Sequence, residues 1–276
     1  MAQHDMLTPR EGPDTICHDP RNELGGRMRM SGIILGLAFG LGLSAAPPPL
    51  LLQTPALSAT RIAFAYAGQI WTVPRDGGEA RSVVAGQGHC ARPLFSPDGA
   101  SIAFTGVFDG NTDVYVVPAA GGEPRRLTWH PGPDEALAWT PDGKDILFSS
   151  TRTTSRDLAQ LYVVPAAGGP PTALPLPSGA EGSFSPEGNR LAYTPFGQWQ
   201  PAWKKYKGGQ TSRIWIADLK DSSVKPVPRA NSNDGNPLWV GDRIYFLSDR
   251  NGPVTLFVHD PATGSVKEVI PNPKGF

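Results

Sequence analysis

The residues of this chain do not form any of the common catalytic motifs. The sequence contains no Gly-x-Ser-x-Gly elbow, no His-Glu-x-x-His or Cys-x-x-Cys pair, and no phosphate-binding P-loop. Beyond residue 60 the histidines are His89, His130 and His259. Scattered Ser, His and Asp do not make a triad, because geometry rather than presence defines such a site. We therefore predict that this chain on its own has no catalytic residues, and we assign it no cofactor and no metal.

The residues best suited to binding lie in a segment of 18 residues, 195–212, between two predicted strands. Segments of this length without regular structure are usually functional or disordered. This one contains Trp203, Lys204, Lys205 and Tyr206, aromatic and cationic groups that suit peptide carboxylates and apolar side chains. The alternative, which stays open, is that the rings pack over neighbouring strands and the lysines are simply solvated.

A four-residue turn that returns three times predicts how the rest of the chain is arranged. It reads Ser96–Gly99, Thr140–Gly143 and Ser185–Gly188, each between two short apolar strands, and its prolines are 44 and then 45 residues apart. A fixed period of this size is typical of repeat architectures. Proline sets φ at the second turn position and glycine takes the left-handed conformation, so the motif indicates a hairpin turn rather than a catalytic element.

Five units of four strands can be aligned on this turn, at residues 54–84, 85–128, 129–175, 176–229 and 230–270. Their inner strands are apolar on both faces and their fourth strands are polar, as in the blades of a β-propeller. A β-sandwich would not need four strands in every period. We predict an all-β fold, a β-propeller of four-stranded blades, with five blades over residues 54–276.

In such blades the connections between blades lie on the same face as the segment 195–212, because the strands are antiparallel. Two of these connections carry polar or aromatic side chains, although ordinary turn chemistry also accounts for them. We predict a peptide-binding site on this face that contains Trp129, His130, Trp203, Lys204, Lys205, Tyr206, Asn231 and Asp234.

The charges and the N-terminal residues bear on partners and localisation. The 25 basic and 25 acidic residues balance, which gives no electrostatic footprint for nucleic acid. A short basic stretch, the apolar run Ile33–Leu43 and the small residues Ser44–Ala46 are typical of a secretory signal peptide. We predict a signal peptide over 28–46 and a linker over 47–53. Residues 1–27 are interpreted as a disordered leader produced by a wrongly assigned start codon.

Two stretches resemble a known family. The residues Trp203-Lys204-Lys205-Tyr206-Lys207-Gly208-Gly209, and the stretch from Val240 to Asp249 followed by Asn251-Gly252, resemble the N-terminal propeller of the tricorn proteases. The hairpins are shared with TolB-like propellers. The resemblance implies that these five blades belong to a six-bladed propeller at the front of a longer polypeptide. The serine peptidase domain of that polypeptide cleaves peptides, and its propellers gate substrate. Members of the family anchor a peptide carboxylate with an adjacent arginine pair in a loop of this propeller. We do not assign that role to Arg125-Arg126, because these two residues lie in a fourth strand.

The resemblance also implies the partners: peptides or unfolded protein segments, the catalytic domains of the full-length protein, and a homo-oligomer of that protein. Together with the signal peptide it predicts a gating, peptide-binding propeller of a periplasmic or secreted protease. Cytoplasmic localisation is the alternative, as in the better-known members. The alternative function is a stand-alone TolB-like periplasmic propeller that acts as a protein-binding scaffold.

Overall fold

The structure is a computed structural model that describes residues 51–84, 88–154, 158–197 and 206–271. These residues form twenty β-strands and no helix, which confirms the all-β fold. The predicted leader and signal peptide, and the binding candidates Trp203, Lys204 and Lys205, lie outside the described residues. In the described ranges, no helix has the length and apolar character needed to cross a membrane.

The strands form five antiparallel sheets of four, each built from strands that are consecutive in the chain. The first two blades are β1 (Gln53–Leu57), β2 (Arg61–Tyr66), β3 (Gln69–Pro74), β4 (Arg81–Ser82) and β5 (His89–Phe95), β6 (Ser101–Phe108), β7 (Asn111–Pro118), β8 (Arg125–Arg126). The third and fourth are β9 (Asp134–Trp139), β10 (Asp145–Ser150), β11 (Gln160–Pro165), β12 (Thr172–Ala173) and β13 (Glu181–Phe184), β14 (Arg190–Thr194), β15 (Trp215–Asp218), β16 (Val224–Pro226). The fifth is β17 (Asp234–Val240), β18 (Arg243–Ser248), β19 (Thr255–His259), β20 (Val266–Ile270).

Burial explains why each strand has its composition. In the three middle blades the second strands, β6, β10 and β14, are buried on both faces over most of their length, because blades pack on either side of them. An aromatic pair stacks across the second and third strands of the second, third and fifth blades, with ring centroids 5.5 to 6.0 Å apart. The pairs are Phe104 with Tyr115, Phe148 with Tyr162, and Phe246 with Phe257. The fourth strands are short and largely exposed, as expected for the rim of a propeller.

The blades pack face to face in chain order. Each of the four hydrophobic clusters found among the described residues joins two successive blades. In the last cluster, Ile214 and Val227 of the fourth blade contact Trp239 and Phe246 of the fifth. The first strands of successive blades also contact one another, so they lie nearest the axis. This arrangement confirms a β-propeller of five four-stranded blades within this chain.

The repeated turns close hairpins through their own side chains. Ser96 Oγ donates to Asp98 Oδ1 at 2.5 Å, and the same carboxylate accepts the backbone N–H of Ala100. Thr140 and Asp142 repeat this arrangement. The third copy has Glu187, and there Ser185 Oγ donates instead to Asn189 Oδ1. The turn glycines have φ between 70° and 75°, which confirms the left-handed conformation predicted for them.

Candidate functional site

The connections between blades and the loops between second and third strands lie on one face of the propeller. We call it the connection face, and its described parts include residues 127–133, 151–154, 206–213, 227–233 and 249–254. The repeated turns lie on the opposite face. All the predicted binding residues that the structure describes belong to the connection face or to the first residue of the strand that follows it.

Trp129 is the most prominent aromatic side chain of this face. It is 65% exposed, and the guanidinium carbon of Arg126 lies 5.8 Å from its ring centroid. Arg126 is itself held by Asp113, with Nη2 and Oδ2 2.7 Å apart. The ion pair with Asp113 fixes the position of Arg126 beside the indole. A cation near the face of an indole ring is attracted to it, so Arg126 stabilises the position of Trp129.

His130 is fixed by the turn that contains it. Its backbone carbonyl accepts a hydrogen bond from Asn111 Nδ2 at 2.8 Å, and its Nδ1 accepts one from the backbone N–H of Gly132 at 3.0 Å. A Cβ at position 132 would meet the His130 ring and Thr151 Oγ1 at 3.1 Å. The glycine thus lets the histidine ring fold back over its own turn.

Asp234 is buried, and its carboxylate is fully used inside the protein. Its Oδ1 accepts hydrogen bonds from Ser232 Oγ at 2.8 Å and Ser248 Oγ at 2.6 Å. Its Oδ2 pairs with Arg250 Nη2 at 3.1 Å. Asp234 therefore has a structural role in holding Arg250. Asn231 is exposed and has a left-handed φ of 41°.

A second blade repeats this buried ion pair. Asp134 begins the third blade as Asp234 begins the fifth, and it pairs with Arg152 Nη2 at 2.7 Å. The guanidinium of Arg152 lies about 5 Å from the rings of Phe148 and Tyr162. Arg250 is placed in the same way over Phe246 and Phe257. Sequence reasoning missed both pairs, although Ser150-x-Arg152 and Ser248-x-Arg250 at equivalent positions were a usable signal.

Tyr206 and Lys207 end the segment that the sequence singles out. Lys207 Nζ lies 2.6 Å from Asp249 Oδ1, and Asn233 donates to both oxygens of the same carboxylate. Asn233 Nδ2 also donates to the backbone carbonyl of Tyr206. Although burial raises the pKa of Asp249, the hydrogen bonds from Lys207 and Asn233 hold it below its usual value. The end of the segment is thereby tied to the fifth blade.

The first strands β5 and β17 contain β-bulges, and residues at these bulges contact the neighbouring blade. Arg92 and Asn236 each precede a proline, have φ of 53°, and lie where the strand register shifts. Arg92 pairs with Glu135 of the next blade at 3.5 Å. The backbone N–H of Asn236 donates to Glu181 Oε2 at 2.8 Å. These contacts link neighbouring blades near the axis.

Potential metal ligands and the thiol of Cys90 can be located in the described part of the chain. Within it, no group of three or more His, Cys, Asp and Glu side chains is placed to hold a metal ion. Cys90 is buried and unpaired, and burial raises the pKa of its thiol to about 11. A thiol with that pKa stays protonated at neutral pH, so it is a poor nucleophile.

The predicted binding residues therefore fall into two groups on the connection face. Trp129 and His130 lie in the connection between the second and third blades. Tyr206 lies in the loop between β14 and β15 of the fourth blade, Asn231 in the connection to the fifth blade, and Asp234 at the start of β17. The structure joins the second group through Asn233 and Ser232, which sequence reasoning did not single out. Whether the two groups bind a common peptide stays a prediction.

The chain contains five four-stranded blades that pack in chain order, and their connections lie on one face. This arrangement defines a β-propeller built from sequence repeats. The chain belongs to the family of the tricorn protease N-terminal beta propeller domain, which matches residues 49–274.

The comparisons with individual proteins agree with this family. Tricorn protease homolog 1 of Streptomyces coelicolor is 34% identical over 221 residues, which cover 79% of this chain and 20% of that protein. The tricorn protease of Thermoplasma acidophilum is 36% identical over 52 residues, or 19% of this chain and 5% of that protein. This chain thus spans about a fifth of the length of the Streptomyces relative.

Solved structures show the same fold. The crystal structure of the tricorn protease matches 81% of this chain and 23% of its own, with 25% identity and a TM-score of 0.71. A putative TolB from Agrobacterium tumefaciens matches 80% of this chain and 81% of its own, with 22% identity and a TM-score of 0.67. At that identity the TolB likeness concerns the fold alone.

Proposed function

We propose that this chain is the peptide-binding propeller of an exported tricorn-like serine protease and gates the access of peptides to catalytic domains outside the chain. Family membership supports the connection to a protease. The typical signal-peptide pattern of residues 28–46 supports export to the periplasm or the exterior. Peptides or unfolded protein segments are the proposed ligands, and a homo-oligomer of the full-length protein is the proposed assembly.

The observation that carries peptide binding is Trp129. An indole that is 65% exposed and supported by a fixed guanidinium is unusual for a side chain with no function in packing. Tryptophan and arginine are the residues most enriched among those that dominate the energy of protein interfaces. On the same face, the ammonium of Lys207 lies within reach of solvent, since its side chain is 40% exposed.

Peptide binding is tested by substitution on the connection face. We expect Trp129→Ala to weaken binding of a fluorescent peptide by at least about tenfold, as for residues that dominate an interface. The double variant Lys204→Ala/Lys205→Ala should also weaken binding. Its matched control is Lys225→Ala/Lys267→Ala, which removes the same charges from the fourth strands. Equal affinities for the two double variants, together with an unaffected Trp129→Ala, would contradict peptide binding at this face.

The second candidate function is a stand-alone scaffold, which the TolB-like fold supports. Immunoblotting of cell fractions with an antibody against the propeller separates the two. A product far above 29.4 kDa in the exported fraction is expected for the front of a protease. A product at or slightly below that mass would favour the scaffold and contradict the link to a peptidase.

A further inference from the structure

The sequence contains one Asn-Gly dipeptide, Asn251-Gly252, in the loop between β18 and β19. Both residues are exposed. Asparagine is one of the chemically labile residues of proteins. Before a glycine it is at its most labile, because the backbone nitrogen of the glycine attacks the carboxamide carbon of the asparagine and no side chain hinders the approach. This loop therefore places a reactive pair of groups in contact with water.

The surroundings of Gly252 leave room for this reaction. Gly252 has φ of 113°, a conformation that residues with a side chain rarely adopt. An atom added at its Cβ position would meet nothing within 4 Å. The main chain at Gly252 can therefore change its conformation without displacing a neighbour at that position.

Two hydrogen bonds restrain the reacting groups in the folded chain. The carboxamide of Asn251 donates from Nδ2 to Glu268 Oε2 of β20 at 2.7 Å. The backbone N–H of Gly252, which holds the attacking nitrogen, donates to the carbonyl of Asp249 at 3.0 Å. Because both groups must leave these partners before they react, the folded chain should react more slowly than the unfolded chain.

We propose that Asn251 is a modification site, where spontaneous deamidation converts the asparagine into aspartate and isoaspartate at a rate that Glu268 controls. The nitrogen of Gly252 gives its proton to solvent and forms a bond to Cγ of Asn251. The bond from Cγ to Nδ2 then breaks, and Nδ2 leaves as ammonia after it takes a proton from solvent. Water opens the resulting five-membered imide at either carbonyl, which gives aspartate or isoaspartate. The reaction needs no oxidant, and it does not depend on peptide binding.

The modification changes contacts of the fifth blade at the connection face. Each product carries a carboxylate where the carboxamide donated to Glu268, so an attraction becomes a repulsion. Isoaspartate also lengthens the main chain by one methylene directly after Arg250, whose guanidinium pairs with the buried Asp234 at 3.1 Å. The unaltered chain has a formal charge of zero, so ion exchange separates the more negative product. The separated product should unfold at a lower temperature, and an equal temperature would overturn this structural consequence.

Incubation of the full chain in buffer tests the site, with peptide mapping by mass spectrometry as the measurement. We expect aspartate and isoaspartate at position 251, and more of both as the pH rises, because the attacking nitrogen must lose a proton. Asn189 is exposed in a turn but precedes Arg190, so it should stay unmodified as the internal control. Asn251→Gln should remove the charge change, because its ring closure is less favourable. An intact Asn251 in the folded chain, once the chain unfolded in urea has fully reacted, would overturn the modification site.

Substitution of Glu268 tests its control of the rate. Glu268→Ala should speed deamidation of the folded chain by about threefold to tenfold, as for the loss of one hydrogen bond. Glu268→Gln keeps an acceptor oxygen and should react close to the unaltered rate. Lys267→Ala, at the neighbouring exposed position of β20, is the matched control. Equal rates for Glu268→Ala and Lys267→Ala, or a rate for Glu268→Gln as high as for Glu268→Ala, would overturn control by this hydrogen bond.

Discussion

The buried aspartates differ in how completely their oxygens are satisfied, and one glycine accounts for one of the two hydrogen bonds that Asp134 Oδ1 lacks relative to Asp234 Oδ1. Asp234 Oδ1 accepts from Ser232, whereas Asp134 Oδ1 has no partner in the structure. The residue two positions before Asp134 is Gly132, and a side chain there would press against His130. The third blade thus lacks the hydrogen bond that Ser232 makes in the fifth blade, and its connection holds His130 and the exposed Trp129 instead.

The Asp234–Arg250 pair should be important for folding. Asp234→Ala leaves the guanidinium of Arg250 without its carboxylate, and removing one partner of a buried pair costs about 3–5 kcal/mol. We expect that loss in the free energy of unfolding, measured by urea denaturation. Asp242→Ala is the control, since that carboxylate is 89% exposed and 3.8 Å from Arg243. A loss as small as the control's would show that the pair contributes nothing net to stability.

His259 should make stability depend on pH. The ring is buried, and burial lowers its pKa below the ordinary 6.5 although its hydrogen bond to the Ser265 carbonyl opposes this. The unfolded chain therefore binds more protons than the folded chain between the folded-state pKa and pH 6.5. Stability from this residue is present above pH 6.5 and is lost as pH falls through the folded-state pKa.

The check is urea denaturation at pH 7.5 and at pH 5.5. His259→Asn keeps an N–H donor in the region of Nδ1 but does not titrate, so the difference in unfolding free energy between the two pH values should shrink. An unchanged difference would assign the pH dependence to other groups.

At the scale of single elements, the repeated turn shows why a hairpin can be predicted from sequence. Ser96, Asp98 and Gly99 interact within a few residues, so their pattern determines the turn almost independently of the rest of the chain. By contrast, Lys207 and Asp249 come together only because the fourth and fifth blades pack. No spacing in the sequence indicates that meeting, and the same holds for Arg92 and Glu135.

The turn glycine allows a graded test. Gly143 has φ of 70°, and a side chain there is strained although only Pro97 lies near its Cβ position. We expect Gly143→Ala to cost about 1 kcal/mol of unfolding free energy, and Gly143→Asn less, because asparagine tolerates the left-handed region. Thermal unfolding of both variants gives the order. Gly209→Ala, with nothing within 4 Å of the added atom, is the control, and a cost as large there would refute the argument from φ.

At the scale of the whole molecule, the two faces of the fifth blade differ. Trp239 is buried against the fourth blade, with Arg190 4.8 Å from its ring and Ser183 Oγ accepting its backbone N–H. Its neighbours Leu238 and Val240 point to the opposite side and are 56% and 52% exposed. The sixth blade that the sequence predicts would cover such a face, and this remains a prediction.

The exposed face of the fifth blade that carries Leu238 and Val240 leads to opposite expectations for substitutions in this chain and in a longer protein. Paired exposed apolar residues on a sheet favour association, so Leu238→Lys/Val240→Lys should reduce self-association of the 276-residue chain, measured by sedimentation velocity. Its own stability should change by less than about 0.5 kcal/mol, because both side chains are exposed. Val224→Lys, at an exposed position of β16, is the control and should leave association unchanged.

In a longer protein with a sixth blade, the same two lysines would be buried without partners and should lower the unfolding temperature markedly. Comparing the effect of the two lysines on stability in the two proteins therefore tests whether a sixth blade covers Leu238 and Val240. If the lysines are harmless in both, Leu238 and Val240 are not covered by any blade, and the prediction of six blades is wrong. If they destabilise only the longer protein, the fifth blade ends at an interface that this chain leaves open.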